Sequence, residues 1–411
     1  MVRGKSAERM SRNRPYGVEA LPQMVADPPA TPAAYRGRLV ERARWQWRPT
    51  DGGDPAARTE EFLAAHGLPL HDLARPATPP DPTGVCGAAV YFSAAAGALL
   101  VGGATGATNP ADLPEVAVVV YGHADPPAPR AHPPAARQPD PPTPWTPGPW
   151  TESWSPRQHA DAVTAVRHAI GRGDVYQVNL VGHAAAAYTG DPLPALTRLG
   201  QLPGARYGGV LTGTGWAIGC ASPETLIELH QGTLTTRPIK GTRPATAAGR
   251  TDLLTSAKER AEHIMIVDLE RNDLARVAAT GSVRVDELFA VRRWCQLWQA
   301  ESTIRAHVAD GLGLADLLRA VCPGGSVTGA PKLAALDRIA ALEPVGRGAS
   351  MGALGWVGPD HLDLGLTIRT AAVDTTAVHV WAGGGITWDS DPDAEVAEAA
   401  AKTAPVRAAL S

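Results

Sequence analysis

The sequence predicts an α+β fold built largely from antiparallel sheets. Stretches with strand character and stretches with helix character come in blocks along the 411 residues, without the strict alternation that forms a parallel, doubly wound sheet. A GxxxxGK(S/T) phosphate loop is missing, as is a GxGxxG pattern between a first strand and its helix, so a nucleotide-binding fold is disfavoured.

The first 124 residues are predicted to contain a disordered start and a β-rich part. Residues 1–20 are basic and lack the apolar core of a secretory signal. Residues 21–124 contain short apolar runs that alternate with polar residues. The uncharged run 85–111 is long enough to cross a bilayer, but it is mostly Ala, Gly, Ser and Thr and predicts two buried strands joined by a small-residue turn. We therefore expect a cytoplasmic protein without a membrane span.

A proline-rich segment follows. Eleven of the 38 prolines lie between residues 126 and 149, where they prevent helices and central strands. Residues 125–150 are therefore predicted to form a linker or a long surface loop, with a domain boundary near residue 150.

Residues 151–411 carry stronger local signals. Ser155 and Pro156 are typical of an N-cap and a first helical residue, and the apolar spacing predicts a helix as far as Gly171. The alternating patterns predict strands at 174–181 and 215–222, and a hairpin over 224–239 that turns at Gln231 and Gly232. A capping box formed by Ser256 and Glu259 predicts a helix that continues to residue 274.

Composition excludes several classes of function. Lys and Arg number 38 against 41 Asp and Glu, and the net charge of −3 lacks the basic excess that nucleic-acid binding requires. The four cysteines form no short CxxC pair, so neither a zinc site nor a disulfide framework is expected.

Two pairs of glutamates are candidate metal ligands. Glu259 and Glu262 lie three residues apart on one predicted helix, and Glu395 and Glu398 repeat this spacing, with Lys402 one turn later. If the pairs meet, they repel each other unless a hard divalent cation lies between them, and oxygen ligands suit Mg²⁺. Spacing alone favours simpler alternatives, a capping role for Glu259 and a solvated face for the later pair.

Lys240 and Glu224 are candidate catalytic residues. Lys240 follows the predicted hairpin and precedes a glycine, so its side chain can enter a cleft, where a depressed pKa would make it a nucleophile. Glu224 is a carboxyl group that a partly apolar site keeps protonated as a general acid. The simpler alternatives are an exposed lysine in a basic turn and an ordinary turn glutamate.

Five segments together resemble the chorismate-utilising enzymes. The resemblance extends in unbroken order over residues 150–411, whereas the first 150 residues match only loosely. The segments are SPETLIELHQGTLTTRPIKGTRP (222–244), KERAEHIMIVDLERNDLARV (258–277), PGGSVTGAPKLAAL (323–336), GALGWVG with LTIRT (352–370) and GGGITWDSDPDAEVAEAAAKT (383–403).

The resemblance implies a fold and a site. The fold is a large intertwined α/β/β/α sandwich with mostly antiparallel sheets, in which residues 21–124 form an amino-terminal part and residues 151–411 the chorismate-binding catalytic region. By similarity, Mg²⁺ is bound directly by Glu262 and Glu398 with support from Glu259 and Glu395, and Glu224 is the general acid. The implied substrate contacts are Gly241, Thr242, Thr328, Arg369, Gly384, Gly385 and Lys402.

The resemblance also implies a reaction. Members that add water carry lysine where this chain has Gln177, and members that form anthranilate carry alanine in the PIxGT motif, where this chain has Lys240. Lysine there implies attack on ring C2 of chorismate and amination at C4, which leads to 4-aminobenzoate and folate or to a specialised product. The ammonia is expected from a separate glutamine amidotransferase subunit. The alternatives are formation of anthranilate or 2-amino-2-deoxyisochorismate, or a degenerate chorismate-binding scaffold.

Three positions depart from the family pattern. Gln299 stands where many members have histidine, Ser350 stands where they have tyrosine, and Ala399 replaces a threonine. These departures fall on supporting positions, whereas the implied acid, lysine and metal ligands are all present.

Overall fold

The structure, a computed structural model, describes residues 38–75, 84–124 and 144–411. The predicted disordered start and most of the predicted linker lie outside the described residues. The strands are β1 (Arg38–Trp47), β2 (Val85–Phe92), β3 (Val116–Ala124), β4 (Thr146–Pro147), β5 (Thr151–Glu152), β6 (Gln177–Thr189), β7 (Tyr207–Gly213), β8 (Trp216–Ser222), β9 (Thr225–His230), β10 (Thr233–Arg237), β11 (Ile239–Pro244), β12 (Arg284–Trp294), β13 (Leu297–His307), β14 (Gly329–Ala330), β15 (Ala353–Val357), β16 (His361–Leu366), β17 (Thr370–Val373) and β18 (Ala377–Ile386).

The helices alternate with groups of strands. The α-helices are α1 (Pro55–Ala65), α2 (Ala94–Leu100), α3 (Pro156–Gly171), α4 (Leu193–Gly200), α5 (Ala247–Thr255), α6 (Ala257–Ala275), α7 (Leu314–Val321), α8 (Lys332–Leu342) and α9 (Pro392–Leu410), and short 3-10 turns lie at Pro49–Asp51 and Gly325–Val327.

The strands form two antiparallel sheets. The ten-stranded sheet has the order β1-β3-β2-β15-β16-β9-β10-β13-β11, with β12 also paired to β13. The eight-stranded sheet has the order β14-β6-β18-β17-β8-β7, with β4 and β5 paired to β6. Because β2 pairs with β15, strands from before and after the proline-rich segment share one sheet.

A common apolar core joins the two sheets. Val90 and Val118 of the ten-stranded sheet belong to the same buried cluster as Leu211 and Ile218 of the eight-stranded sheet. Helices α4 and α9 cover the opposite face of the eight-stranded sheet, while α1 and α6 pack against the ten-stranded sheet. The predicted α+β sandwich with mostly antiparallel sheets is therefore confirmed.

Local signals account for the elements that lead to the site. The Ser155 hydroxyl accepts from the Gln158 amide at the start of α3, as predicted. The hairpin of β9 and β10 turns at Gln231 and Gly232, both with positive φ, which is the turn geometry that suits twisted antiparallel strands.

The uncharged run 85–111 was predicted incorrectly in its second half. Its first part is the buried strand β2, but the predicted second strand is the helix α2, because the Ser93 hydroxyl caps it by accepting from the Ala96 amide. Within the three described ranges, no helix is both long enough and apolar enough to cross a membrane.

Candidate active site

One cavity is lined by nearly all the residues that the sequence indicated as site residues. Its walls are formed by β11, α6, α9, the glycine-rich end of β18 and the 3-10 turn at Gly325–Val327. The predicted residues that line it are Glu224, Lys240, Gly241, Thr242, Glu259, Glu262, Arg369, Gly384, Gly385, Glu395, Glu398 and Lys402.

Lys240 and Glu224 are held by a residue that the sequence did not indicate. The Lys240 ammonium donates to the Ser326 carbonyl oxygen at 3.0 Å, and the Ser326 hydroxyl donates to Glu224 Oε1 at 2.6 Å. The Ile239 amide donates to the same carboxylate oxygen at 3.2 Å. Ser326 therefore connects the candidate nucleophile with the candidate acid through its two oxygen atoms.

Removal from water shifts both groups toward their neutral forms. Burial raises the pKa of Glu224 above its ordinary value, although Ser326 and Lys240 act in the opposite direction. Desolvation in the cavity likewise lowers the pKa of Lys240, although the Glu224 carboxylate opposes it. A neutral amine is nucleophilic and a protonated carboxyl group can donate a proton, so this pair is suited to nucleophilic and acid catalysis.

Each of the four predicted metal ligands has a polar partner in the cavity wall. The predicted capping box is only half formed, because the Glu259 amide donates to the Ser256 hydroxyl but the Glu259 carboxylate pairs with an arginine of β11 rather than with the Ser256 amide. The partners are Thr387 for Glu262 (2.6 Å), Ser390 for Glu395 (2.7 Å), Arg243 for Glu259 (2.8 Å) and Lys402 for Glu398 (2.5 Å).

Electrostatic repulsion among these carboxylates is only partly offset. Burial and the neighbouring Glu398 raise the pKa of Glu395 to about 7, and burial raises that of Glu262. Burial acts in the same sense on Glu398, but the Lys402 ammonium outweighs it and lowers the pKa. In the part of the chain that the structure describes, no three His, Cys, Asp or Glu side chains are grouped to hold a metal ion. Two carboxylates from facing helices nevertheless suit Mg²⁺, which binds proteins through one or two carboxylates and completes its coordination with water and substrate oxygens.

Arg369 supplies a buried positive charge opposite the acidic wall. It is 6% exposed, its guanidinium lies 4.7 Å from the ring centroid of Trp294, and its Nε has no hydrogen-bond partner among the described residues. Burial lowers its pKa to about 10, so it stays protonated at neutral pH. A buried guanidinium with an unused donor is suited to bind a carboxylate.

Three glycines allow the backbone to approach these side chains. Gly241 has a φ of +76°, and a Cβ atom there would lie 2.9 Å from Glu259 Oε2. A Cβ atom on Gly384 would lie 2.9 Å from Glu395 Oε2, and one on Gly385 would lie 2.7 Å from the Lys240 amine. Side chains at these positions would therefore displace the candidate ligands or nucleophile.

Gln177 borders the same corner of the site. It is fully buried, and neither atom of its amide has a hydrogen-bond partner among the described residues. Its Nε2 lies 2.7 Å from the position of a Cβ atom on Gly385, beside Lys240. An unpaired buried amide next to the amine is available to a bound ligand.

Thr328 is the predicted site residue that the structure does not bring to this cavity. Its hydroxyl donates to the Gly324 carbonyl oxygen at 2.8 Å, which closes the 3-10 turn, and it lines a neighbouring cavity with Arg347. Of the departures from the family pattern, Gln299 lines the site, whereas the buried Ser350 donates to the Thr367 carbonyl oxygen.

Comparison with known proteins places this geometry in context. The family model for chorismate binding enzymes matches residues 76–408. Aminodeoxychorismate synthase component 1 of Salmonella typhimurium is 40% identical over 264 residues, which cover 62% of this chain and 58% of that protein. Anthranilate synthase component 1 of Streptomyces coelicolor is 39% identical over 260 residues, which cover 60% of this chain and 51% of that protein. The chain thus spans between half and three fifths of the length of these relatives.

Solved structures show the same fold. Anthranilate synthase component I from Streptococcus pneumoniae superposes with a TM-score of 0.72 at 23% identity, over 96% of this chain and 95% of that one. The menaquinone-specific isochorismate synthase of Escherichia coli superposes with a TM-score of 0.60 at 16% identity, over 91% of this chain and 95% of that one.

Proposed function

Because the chain belongs to the family of chorismate binding enzymes, we propose that it converts chorismate and ammonia into 4-amino-4-deoxychorismate. The observation that carries this proposal is the placement of Lys240 beside Glu224 in one cavity, linked through Ser326. The similarity to aminodeoxychorismate synthases supports it.

The proposed reaction begins with the two neutral groups. The Lys240 amine attacks ring C2, both conjugated ring double bonds shift, and the C4–O bond breaks while Glu224 gives its proton to the departing hydroxyl, which leaves as water. Ammonia then forms a bond to C4, both double bonds shift back, and the bond from C2 to the Lys240 nitrogen breaks, so that the amine leaves in its neutral form. The new ammonium group at C4 returns a proton to Glu224. The lysine is released for another cycle, and the enolpyruvyl group stays on the product.

The remaining walls would bind and orient the substrate. Arg369 and Lys402 supply positive charge for its carboxylates, and the backbone at Gly384 and Gly385 allows close approach of a small dianion. Glu262 and Glu398 would hold Mg²⁺, with Glu259 and Glu395 in support. When bound, Mg²⁺ would neutralise the substrate's ring carboxylate.

We also propose that ammonia reaches this cavity from a separate glutamine amidotransferase subunit. Among the described residues no cysteine lines the cavity, and a glutaminase of the cysteine type requires one as nucleophile. The relatives carry the designation component 1, which supports a second component. A separate lyase would convert the product to 4-aminobenzoate.

Formation of anthranilate is the second candidate function. The similarity to anthranilate synthase component 1 at 39% identity favours it. It requires amination at C2 rather than C4, and Lys240 lies where the family's anthranilate-forming members carry alanine.

A product assay separates these functions. The purified chain is incubated with chorismate, Mg²⁺ and ammonium, and the products are identified by mass spectrometry. We expect 4-amino-4-deoxychorismate from the parent chain and none from Lys240→Ala. Lys240→Arg is the matched variant, because it keeps the positive charge but cannot supply a neutral amine. Anthranilate as the product, or full activity of Lys240→Arg, would contradict the proposal.

A further inference from the structure

The 3-10 turn that carries Ser326 rests directly on helix α6. A Cβ atom on Gly325 would lie 2.6 Å from Leu269 Cδ2 and 3.2 Å from Glu270 Oε1, so the lack of a side chain at Gly325 allows this close approach. The Glu270 carboxyl group lies beneath this turn, beside the Ser326 amide. The Ser326 hydroxyl is hydrogen-bonded to Glu224 and the Ser326 carbonyl oxygen to Lys240, while Glu270 lies beside the amide.

Glu270 is buried without a cation of its own. It is 4% exposed, and the Thr236 hydroxyl contacts its second oxygen at 3.4 Å. The equally buried Asp273, one turn later on α6, pairs with Lys332 at 2.8 Å, whereas the described residues provide no ion pair for Glu270. Burial and the nearby Asp273 raise the pKa of Glu270 to about 8. A protonated carboxyl group keeps a carbonyl oxygen that can accept from the Ser326 amide.

We propose that Glu270 is a positioning residue that holds the Ser326 amide and thereby fixes the distance between the Lys240 amine and the Glu224 carboxyl group. The consequence for catalysis depends on the function proposed above, but the structural link does not. Without the Glu270 carboxyl group beneath it, the turn loses a buried polar neighbour of the Ser326 amide and moves. Because the same residue orients both catalytic groups, a shift of the turn displaces both.

Matched variants separate positioning from ordinary stability. Glu270→Leu removes the acceptor at nearly constant volume, whereas Glu270→Gln keeps a carbonyl oxygen. Asp273→Asn is the control, since it changes an equally buried carboxylate on the same helix without touching Ser326. We expect Glu270→Leu to lower kcat by about 10–100-fold with little change in KM, and Glu270→Gln to keep most of the parent kcat.

Reactivity of Lys240 provides a readout that does not require turnover. Competitive acetylation with trace acetic anhydride across a pH series, analysed by peptide mass spectrometry, gives the pKa and reactivity of this amine. Glu270→Leu should change both, whereas Glu270→Gln and Asp273→Asn should match the parent. Glu270→Met serves in the same test if the leucine variant does not fold.

The outcomes are distinct. Unchanged Lys240 labelling in Glu270→Leu or Glu270→Met, or an equal change in Asp273→Asn, would overturn the positioning role. If the parent chain forms no 4-amino-4-deoxychorismate, the proposed function fails, yet the labelling series still decides whether Glu270 controls the position of Lys240.

Discussion

Replacement of Gly385 by alanine should reduce catalysis while leaving the fold intact. The φ of Gly385 is not positive, so alanine fits its backbone, but the new Cβ atom would lie 2.7 Å from both the Lys240 amine and Gln177 Nε2. Ordinary contacts begin near 3.4 Å. The amine must therefore retreat by about 0.7 Å, which is enough to lengthen its 3.0 Å hydrogen bond to Ser326 or to break it.

The size of the effect follows from this displacement. A misplacement of about 1 Å can cost about 100-fold in rate, so we expect kcat to fall by about 10–50-fold. The cost in stability should be about 1 kcal/mol, because both crowded atoms, Lys240 Nζ and Gln177 Nε2, are the ends of flexible side chains. KM should rise as well, because the added methyl group also narrows the backbone approach that we propose for the substrate at Gly385.

The assay compares two glycines. Initial rates of 4-amino-4-deoxychorismate formation with ammonium give kcat and KM, and thermal melts give the change in stability. Gly148→Ala is the control, because its Cβ atom would meet the Ala187 carbonyl oxygen at 3.1 Å, away from the cavity. Parent kcat in Gly385→Ala would refute the idea that this wall confines the catalytic amine, as would an equal loss in the control.

Three further predictions concern protons and the metal. Burial raises the pKa of Glu224, and the acid must be protonated to act, so kcat should fall as pH rises through that pKa. Glu224→Gln should lower kcat and remove this decline of kcat at alkaline pH. A decline that persists in the variant would exclude Glu224 as the acid. Glu262→Gln and Glu398→Gln should each raise the Mg²⁺ concentration for half-maximal activity by about tenfold or more. Chelation of Mg²⁺ should abolish the binding of chorismate measured by calorimetry. Binding of chorismate that does not depend on the metal would contradict this prediction. Burial lowers the pKa of His183 to about 3, so the unfolded chain takes up its proton first and stability is lost as pH falls below about 6.5. Between pH 6.5 and 5, His183 should reduce the free energy of unfolding by about 2 kcal/mol. Urea unfolding of the parent and of His183→Gln at each pH measures this loss as the change in the stability difference between them. A stability difference that does not vary with pH would contradict the assignment.

Local signals explain which elements could be predicted. The start of α3 depends on neighbours within four residues of Ser155, and the hairpin depends on two consecutive positive φ values. The second half of 85–111 was predicted incorrectly because small apolar residues fit strand and helix alike, and the Ser93 cap decides the outcome.

Long-range contacts explain which parts of the candidate site could not be predicted from the sequence. Ser326 forms hydrogen bonds with Glu224, 102 residues away in sequence, and with Lys240, 86 residues away, and a local sequence pattern does not indicate such long-range contacts. Similarly, the capping-box pattern of Glu259 is local, but its carboxylate pairs with Arg243 on another element, and a pattern within one helix cannot reveal that partner. Motif similarity indicated the groups that we propose take part in the chemistry, whereas the residues that contact and orient those groups could be identified only from the fold.

The balance of charges in the cavity indicates whether the proposed Mg²⁺ is needed. Two of the acidic groups are already paired, Glu259 with Arg243 at 2.8 Å and Glu398 with Lys402 at 2.5 Å. The Lys258 ammonium nitrogen lies 3.7 Å from Glu262 Oε1, but the Lys258 side chain is 38% exposed, so water screens the attraction between the two charges.

A dianionic substrate would make this imbalance worse. Arg369 can meet one carboxylate of chorismate, the charge of Lys402 is shared with Glu398, and the proposed mechanism requires Lys240 to be neutral. The second carboxylate would then face Glu262 and Glu395, and burial with Glu398 already raises the pKa of Glu395 to about 7. Protonation of Glu395, which is about half complete near pH 7, relieves only part of this repulsion, whereas a divalent cation brings two positive charges and also supplies coordination sites for the substrate oxygens. The charge distribution therefore supports Mg²⁺ as a requirement for substrate binding itself, and not solely for the chemical step.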